Sequence, residues 1–291
     1  MTIFLLSIGF GIVTASVLAL ASVGLTLQFG VTNYVNFAYG AFLTLGAYLT
    51  WAASSILHLN FGVAVVVGTL AVGVIAVLCG RYVMGPFVRR RSNLLFLLIV
   101  TFGLSLILSN LVQAIWGVDF QTFNLPTPNP VDIGPLIFTP YQLAIVAVAV
   151  VVMLVVHLLL TRTMLGKAMR AMSDSADLAQ VSGIDTERIT TWAWFLSGCL
   201  AGLAGIVFAL NTVSFEPTFG DQFLFVIFSA VILGGIGQPY GAMLGAVVIG
   251  LVTEVSAAVV SSAYKEDIAF LVLVAMLLLR PQGLIPAKGK A

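Results

Sequence analysis

The chain has 291 residues, of which 60% are hydrophobic and only 8% charged, and its mean hydropathy is +1.14, whereas a soluble domain carries roughly 25% charge. That excludes a soluble globular protein; the net charge of +1 says nothing about nucleic acid, and no dense basic cluster beyond Arg89, Arg90 and Arg91 points to a nucleic-acid partner. The two cysteines, Cys79 and Cys199, lie in apolar runs without metal or redox spacing, so they read as core residues, and no metal is expected.

A spanning helix needs about 20 apolar residues, and the uncharged runs leave no room for a separate soluble domain. The expectation is a single all-helical membrane domain over 1–291. The first run contains Ala19, Leu20 and Ala21, a small-x-small pattern, yet no basic residue precedes it and it exceeds a signal-peptide core, so it reads as a membrane helix. Runs between polar breaks predict helices over 3–27, 34–57, 61–84, 94–116, 141–160, 190–211, 222–233, 241–262 and 268–279. The best count is nine within a range of eight to ten, because 222–233 has the length of a half-spanning segment.

The basic residues orient this series. With 162–188 inside, Arg81, Arg89, Arg90, Arg91, Arg280, Lys288 and Lys290 are also inside, so 11 of the 12 basic residues are cytoplasmic and Lys265 alone is outside. The outer loops then hold Asp119, Asp132, Glu216, Asp221, Glu266 and Asp267. This places the amino terminus outside and the carboxyl terminus in the cytoplasm. The outer loop 117–140, with Pro126, Pro128, Pro130 and Pro135, is expected to be extended and stiff.

Small residues recur every fourth position at Ser7, Gly11, Ala15 and Ala19, at Gly198 and Gly202, and at Ala242, Ala246 and Gly250, where they let helices approach closely. The stretch 162–188 is different. It holds 8 of the 23 charged residues and reads as a cytoplasmic helix over 167–182, with Ala168, Met172, Ala176 and Ala179 on one side and Arg170, Asp174 and Asp177 on another. Gly183 closes it in a left-handed conformation, and Asp185 or Thr186 caps the next helix.

Gly166 and Lys167 form no phosphate-binding loop, since Thr161 and Ala168 occupy the other two motif positions, and the run from Gly234 to Gly241 has Tyr240 where a dinucleotide motif needs its third glycine. A tight turn between helices fits that run better. His58 and His157 stand singly, so no catalytic constellation is visible. Glu254 falls inside the eighth helix with no basic residue in that helix, which makes it either an internal anchor or a lining group of a transport path. Gln28, Asn33 and Asn36 flank the start of the second helix. They either satisfy that start or meet a polar solute.

Gly24, Leu25 and Thr26, then Asn36, Phe37, Ala38 and Gly40, then 170–184, Gly234 to Gly237 with Gly241 and Ala242, Tyr264 and Lys265, and finally Pro281, Gly283 and Leu284, follow one another in an order that resembles the permease subunits of binding-protein-dependent ABC importers of the branched-chain amino-acid type. The resemblance implies a multi-pass permease of the bacterial inner membrane that is not an enzyme and binds no cofactor, ATP being bound by separate ATPase subunits. It implies three partners besides the bilayer: the ATPases, a second, homologous permease chain, and a periplasmic solute-binding protein. It also implies a coupling helix at about 166–184, with Lys167, Arg170, Met172, Asp174, Asp177, Ala179 and Gly183 as coupling residues; Gln28, Asn33, Asn36 and Glu254, read from their own positions, are the candidates along the path. Branched-chain amino acids are the implied solutes, with other amino acids, urea or short amides as alternatives. The competing class is a self-sufficient secondary transporter or channel using Glu254 as an ion or proton site.

Overall fold

The computed structural model describes residues 2–90, 92–126, 129–133, 136–261, 264–279 and 283–285. Arg91, Pro128, Pro135, Ser262, Arg280, Pro281, Lys288 and Lys290, which enter the expectations above, lie outside the described residues. The helices are α1 (Thr2–Thr32), α2 (Tyr39–Trp51, continued by a π-helical turn Ala52–Ile56), α3 (Phe61–Leu78), a π-helical segment Cys79–Met84, α4 (Gly85–Arg89), α5 (Leu94–Trp116), α6 (Pro140–Arg162), α7 (Met164–Asp174), α8 (Ala176–Val181), α9 (Thr186–Thr212), α10 (Phe219–Gly234), α11 (Pro239–Val259) and α12 (Lys265–Leu279). Every predicted run contains a helix, while 34–38, Leu57, Val260 and Ser261, which the runs also took in, are not helical. Six stretches, Leu6–Thr32, Phe61–Arg89, Leu94–Trp116, Pro140–Arg162, Thr186–Thr212 and Pro239–Val259, are long and apolar enough to cross a membrane, and Phe219–Gly234 is a shorter apolar helix. The protein is an all-α polytopic membrane protein.

Local chemistry sets the helix ends. Asn33 closes α1 with a positive φ of 58° while its N–H donates to the Phe29 carbonyl at 2.8 Å, a conformation that asparagine tolerates better than most side chains. Asn36 then accepts from the Ala38 N–H at 3.0 Å, so α2 starts at Tyr39 and not at residue 34. The amide of Asn60 caps α3 by accepting from the Gly62 N–H at 3.0 Å. Helix α10 begins three residues before the sequence predicts, which moves Asp221 from an outer loop into the first helical turn.

The long loop after α5 is not merely extended. It contributes β1 (Gln121–Thr122), β2 (Val131–Ile133) and β3 (Leu136–Phe138), and β4 (Ser214–Phe215) follows α9. β1 pairs antiparallel with β4, Gln121 opposite Phe215, and β2 pairs with β3.

The chain folds into two compact units. One comprises Met1–Val23, Asn124–Val155 and Phe225–Ala291, the other Gly24–Phe123 and Val156–Leu224. In the second, α2 crosses α9 where Gly46 faces Gly202 and Gly205 faces Leu43, so closely that a Cβ at either glycine would strike backbone carbonyl oxygen. Gly198 brings α9 onto Val72, Gly73 and Ala76 of α3. These are contacts of the kind that small residues permit between helices in lipid. At one end of this unit Arg89 pairs with Glu187 at 3.0 Å, which brings the end of α4 and the start of α9 together. The β1–β4 ribbon joins the loops after α5 and after α9.

In the first unit, Gly11 and Ala15 of α1 pack on Leu251 and Gly250 of α11. Gly235 and Gly237, both with positive φ, make the tight turn between α10 and α11. Beyond α12, the N–H groups of Leu284 and Ile285 donate to the Leu233 and Gly234 carbonyls at 2.8 and 3.1 Å, satisfying acceptors that the end of α10 leaves open. Exposed Val66, Leu70, Ile99, Ile107, Val151 and Leu154 give α3, α5 and α6 outer faces that suit hydrocarbon.

Candidate transport and coupling sites

The charged stretch forms two helices, not the one continuous helix that its periodicity predicts. Thr163 caps α7 by accepting from the Gly166 N–H at 3.1 Å. At Ser175 the backbone turns extended, with φ −161° and ψ 111°, and the serine hydroxyl caps α8 by accepting from the Leu178 N–H at 3.3 Å. Serine favours this position because its hydroxyl replaces a missing intrahelical partner. Gly183 has the expected positive φ of 85°, its N–H reaches the Gln180 carbonyl and that of Ile184 the Ala179 carbonyl, both at 3.0 Å, which is a Schellman closure. The Asp185 carboxylate caps α9 by accepting from the Arg188 N–H at 3.0 Å.

This closure divides the expected coupling residues in two. Met172 and Ala179 are buried, together with Met169, and Gly183 makes the turn, so these three shape the element. Lys167, Arg170, Asp174 and Asp177 are exposed. Beside them stand three apolar side chains that the charge pattern did not reveal: Met164, Leu178 and Val181 are 79%, 67% and 87% exposed. Exposed apolar side chains among charged ones are a composition that protein contact surfaces share.

Of the candidates for the path, the structure brings Gln28 and Asn36 together. Asn36 Nδ2 donates to Gln28 Oε1 at 3.3 Å, and the Ser197 hydroxyl of α9 donates to the same oxygen at 3.2 Å. Both amides are buried. Gln28 Nε2 is a buried donor without a hydrogen-bond partner among the described residues. Asn33 is exposed at the α1 end and its role is conformational. The cluster therefore surrounds segment 33–38, a non-helical stretch between two helices.

Glu254 belongs to the other unit, and it has partners. Its Oε1 accepts from the Thr14 hydroxyl at 3.0 Å and its Oε2 from Lys265 Nζ at 2.6 Å. The carboxylate thus ties α1, α11 and α12 together. Lys265, the one basic residue that charge sorting left apart, is its counter-ion, an arrangement expected of intramembrane charges.

A second carboxylate escaped the sequence reading. Asp221 Oδ1 and Oδ2 accept from the Ser105 and Ser109 hydroxyls of α5 at 2.8 and 2.6 Å. It stands in the first turn of α10, where negative charge meets the positive end of the helix dipole. Its backbone lies against α2, since a Cβ on Gly40 would sit 3.1 Å from the Asp221 Cα and 2.6 Å from the Gly220 oxygen. The signal in the sequence is Ser105 and Ser109 at four-residue spacing, which puts both hydroxyls on one face of α5.

Residues 7–279 match the family described as the branched-chain amino acid transport system permease component. The chain belongs to that family. Among relatives of this permease, the probable branched-chain amino acid transport permease protein LivH of Methanocaldococcus jannaschii is 31% identical over 94% of this chain and 90% of its own length. The high-affinity branched-chain amino acid transport system permease protein BraD of Pseudomonas aeruginosa is 27% identical over 94% and 93%. LivM of Escherichia coli K12, a second permease protein of that name, is 24% identical over 90% of this chain and 66% of its own length. No solved structure matches the chain. Membership makes this a transport permease component and not a catalytic enzyme.

Proposed function

We propose that this permease forms the membrane path of a binding-protein-dependent ABC importer for branched-chain or other hydrophobic amino acids, and that it sits in a bacterial inner membrane. The family match over 7–279 carries this reading. Nine helices cross, with the amino terminus outside and the carboxyl terminus in the cytoplasm, and the Arg89–Glu187 pair supports a common side for the two main basic stretches. Separate ATPase subunits bind ATP and receive α7 and α8, a homologous permease chain completes the path, and a periplasmic binding protein delivers the solute.

The geometry of α7 and α8 suits a lever. Closure of the ATPase pair pushes on Lys167, Arg170, Asp174, Asp177 and the exposed Met164, Leu178 and Val181. The buried Met169, Met172 and Ala179 pass the displacement to the ends of α6 and α9, and helices joined by close backbone contacts move as a body. The largely apolar wall, with amides at Gln28 and Asn36, suits a solute that is aliphatic and net neutral.

The decisive experiment reconstitutes the permease with a second permease chain, the ATPase subunits and the binding protein, and follows radiolabelled leucine uptake. ATP is expected to drive it, and removal of the ATPase to abolish it. Uptake driven by an ion gradient without nucleotide would instead make the chain a secondary transporter, with Glu254 as its first ion-site candidate. Urea outcompeting leucine would reassign the solute.

A further inference from the structure

Two interruptions of the chain in the unit Gly24–Phe123 and Val156–Leu224 arrive at the middle of a membrane-length helix. Phe37, in the break between α1 and α2, packs edge-on against Phe102 of α5 with ring centroids 6.3 Å apart. The start of α10 meets the start of α2 where Gly220 faces Gly40, and the Gly220 N–H donates to the Thr44 hydroxyl at 3.2 Å. Asp221 follows at once and is held by Ser105, the twelfth of the 23 residues of α5, and by Ser109, seven residues before Trp116. At about 1.5 Å per residue this places the carboxylate roughly 10–16 Å from the Trp116 end of a helix about 34 Å long.

A carboxylate at that depth is costly in lipid and belongs to a protein-lined or water-filled space. The serine hydroxyls donate two hydrogen bonds to it but bring no charge. The ion pairs among the described residues are Arg89 with Glu187 and Lys265 with Glu254, so Asp221, unlike Glu254, has no cation. It is half-buried, and a carboxylate offers about four acceptor positions, of which two are taken. The unpartnered Gln28 Nε2 lies beside the same break, linked through Asn36. Discontinuous helices that meet near mid-membrane are a common architecture of solute sites in transporters, and their N-termini favour a negative charge, which Asp221 supplies.

We propose that Asp221, oriented by Ser105 and Ser109, binds the ammonium group of the transported amino-acid zwitterion. The assignment rests on the function proposed above and deepens it. Selection by a membrane-embedded anion retains solutes that carry an ammonium group and disfavours carboxylic acids of the same shape.

The test uses the permease pair assembled with its ATPase subunits in proteoliposomes, without binding protein, equilibrated with radiolabelled leucine. Leucinol keeps the ammonium and lacks the carboxylate, and 4-methylpentanoate has the reverse. Leucinol is expected to displace leucine at least about tenfold more effectively, the scale of a hydrogen bond to a charged group. Asp221→Asn should weaken leucine binding by about tenfold or more on the same scale, with Asp221→Glu retaining part of it. Absence of saturable leucine binding, equal displacement by the two analogues, or wild-type binding and uptake by an Asp221→Asn transporter would each overturn the assignment. If Asp221→Asn fails to copurify with the ATPase, the analogue competition on the wild type decides alone. ATP-driven leucine uptake by the wild type with its binding protein is the control: its failure removes the functional reading, while its success beside an unaffected Asp221→Asn removes only this one.

Discussion

One carboxylate, Glu254, joins three helices through a hydroxyl on α1 and an ammonium on α12. Its side chain is 15% exposed and that of Lys265 35%, so the pair is screened less than a surface ion pair and more than a fully buried one. Glu254→Gln keeps a hydrogen-bonding group but strands the lysine, and should lower stability by about 1–3 kcal/mol. At about 2–4 °C per kcal/mol this is measurable as a lower melting temperature in detergent. Glu254→Gln with Lys265→Met should recover part of the loss, and strictly additive effects would mean that the pair contributes nothing. The sequence revealed that Glu254 was exceptional but not its partner, because Lys265 lies on the next helix and only packing brings it back. Gly183 and Asp185 were legible because their roles depend on a few neighbouring residues.

At the level of elements, small residues decide how closely helices approach. Gly46 on α2 and Gly202 on α9 meet without room for a side chain. Gly46→Val should therefore push α2 off α9, at a cost of about 1–3 kcal/mol or more, seen as aggregation or a lower melting temperature, whereas a valine at Gly103, which faces no neighbour within 4 Å, should leave both unchanged. Ser175→Ala removes the hydroxyl that caps α8 and should weaken that helix by about 1 kcal/mol, which hydrogen exchange of the Ala176–Val181 amides would register as faster exchange. The periodic pattern that predicted one helix over 167–182 could not show this break, since Ser175 sits at an ordinary helical interval and acts only once its hydroxyl turns back to Leu178. The place of Asp221 beside the middle of α5 was hidden for a different reason. Its position is defined by Ser105 and Ser109, more than a hundred residues earlier, and polarity next to a loop reads the same whether the chain stays outside or dips inward.

At the scale of the whole molecule, an apolar composition announced a membrane protein, and the order of its motifs announced the family. The sequence says far less about which polar groups the fold gathers, because they come from different helices: Gln28 and Asn36 meet Ser197, and Asp221 meets α5. The exposed Met164, Leu178 and Val181 bear on how the subunit survives in a cell. Under the proposed function an ATPase motor covers these three side chains, so a chain synthesised without it should leave them open to surveillance proteases and turn over quickly. Pulse-chase labelling with and without co-expressed ATPase would measure this, and replacing the three residues by serine should lengthen the half-life of the solitary chain while weakening capture of the motor.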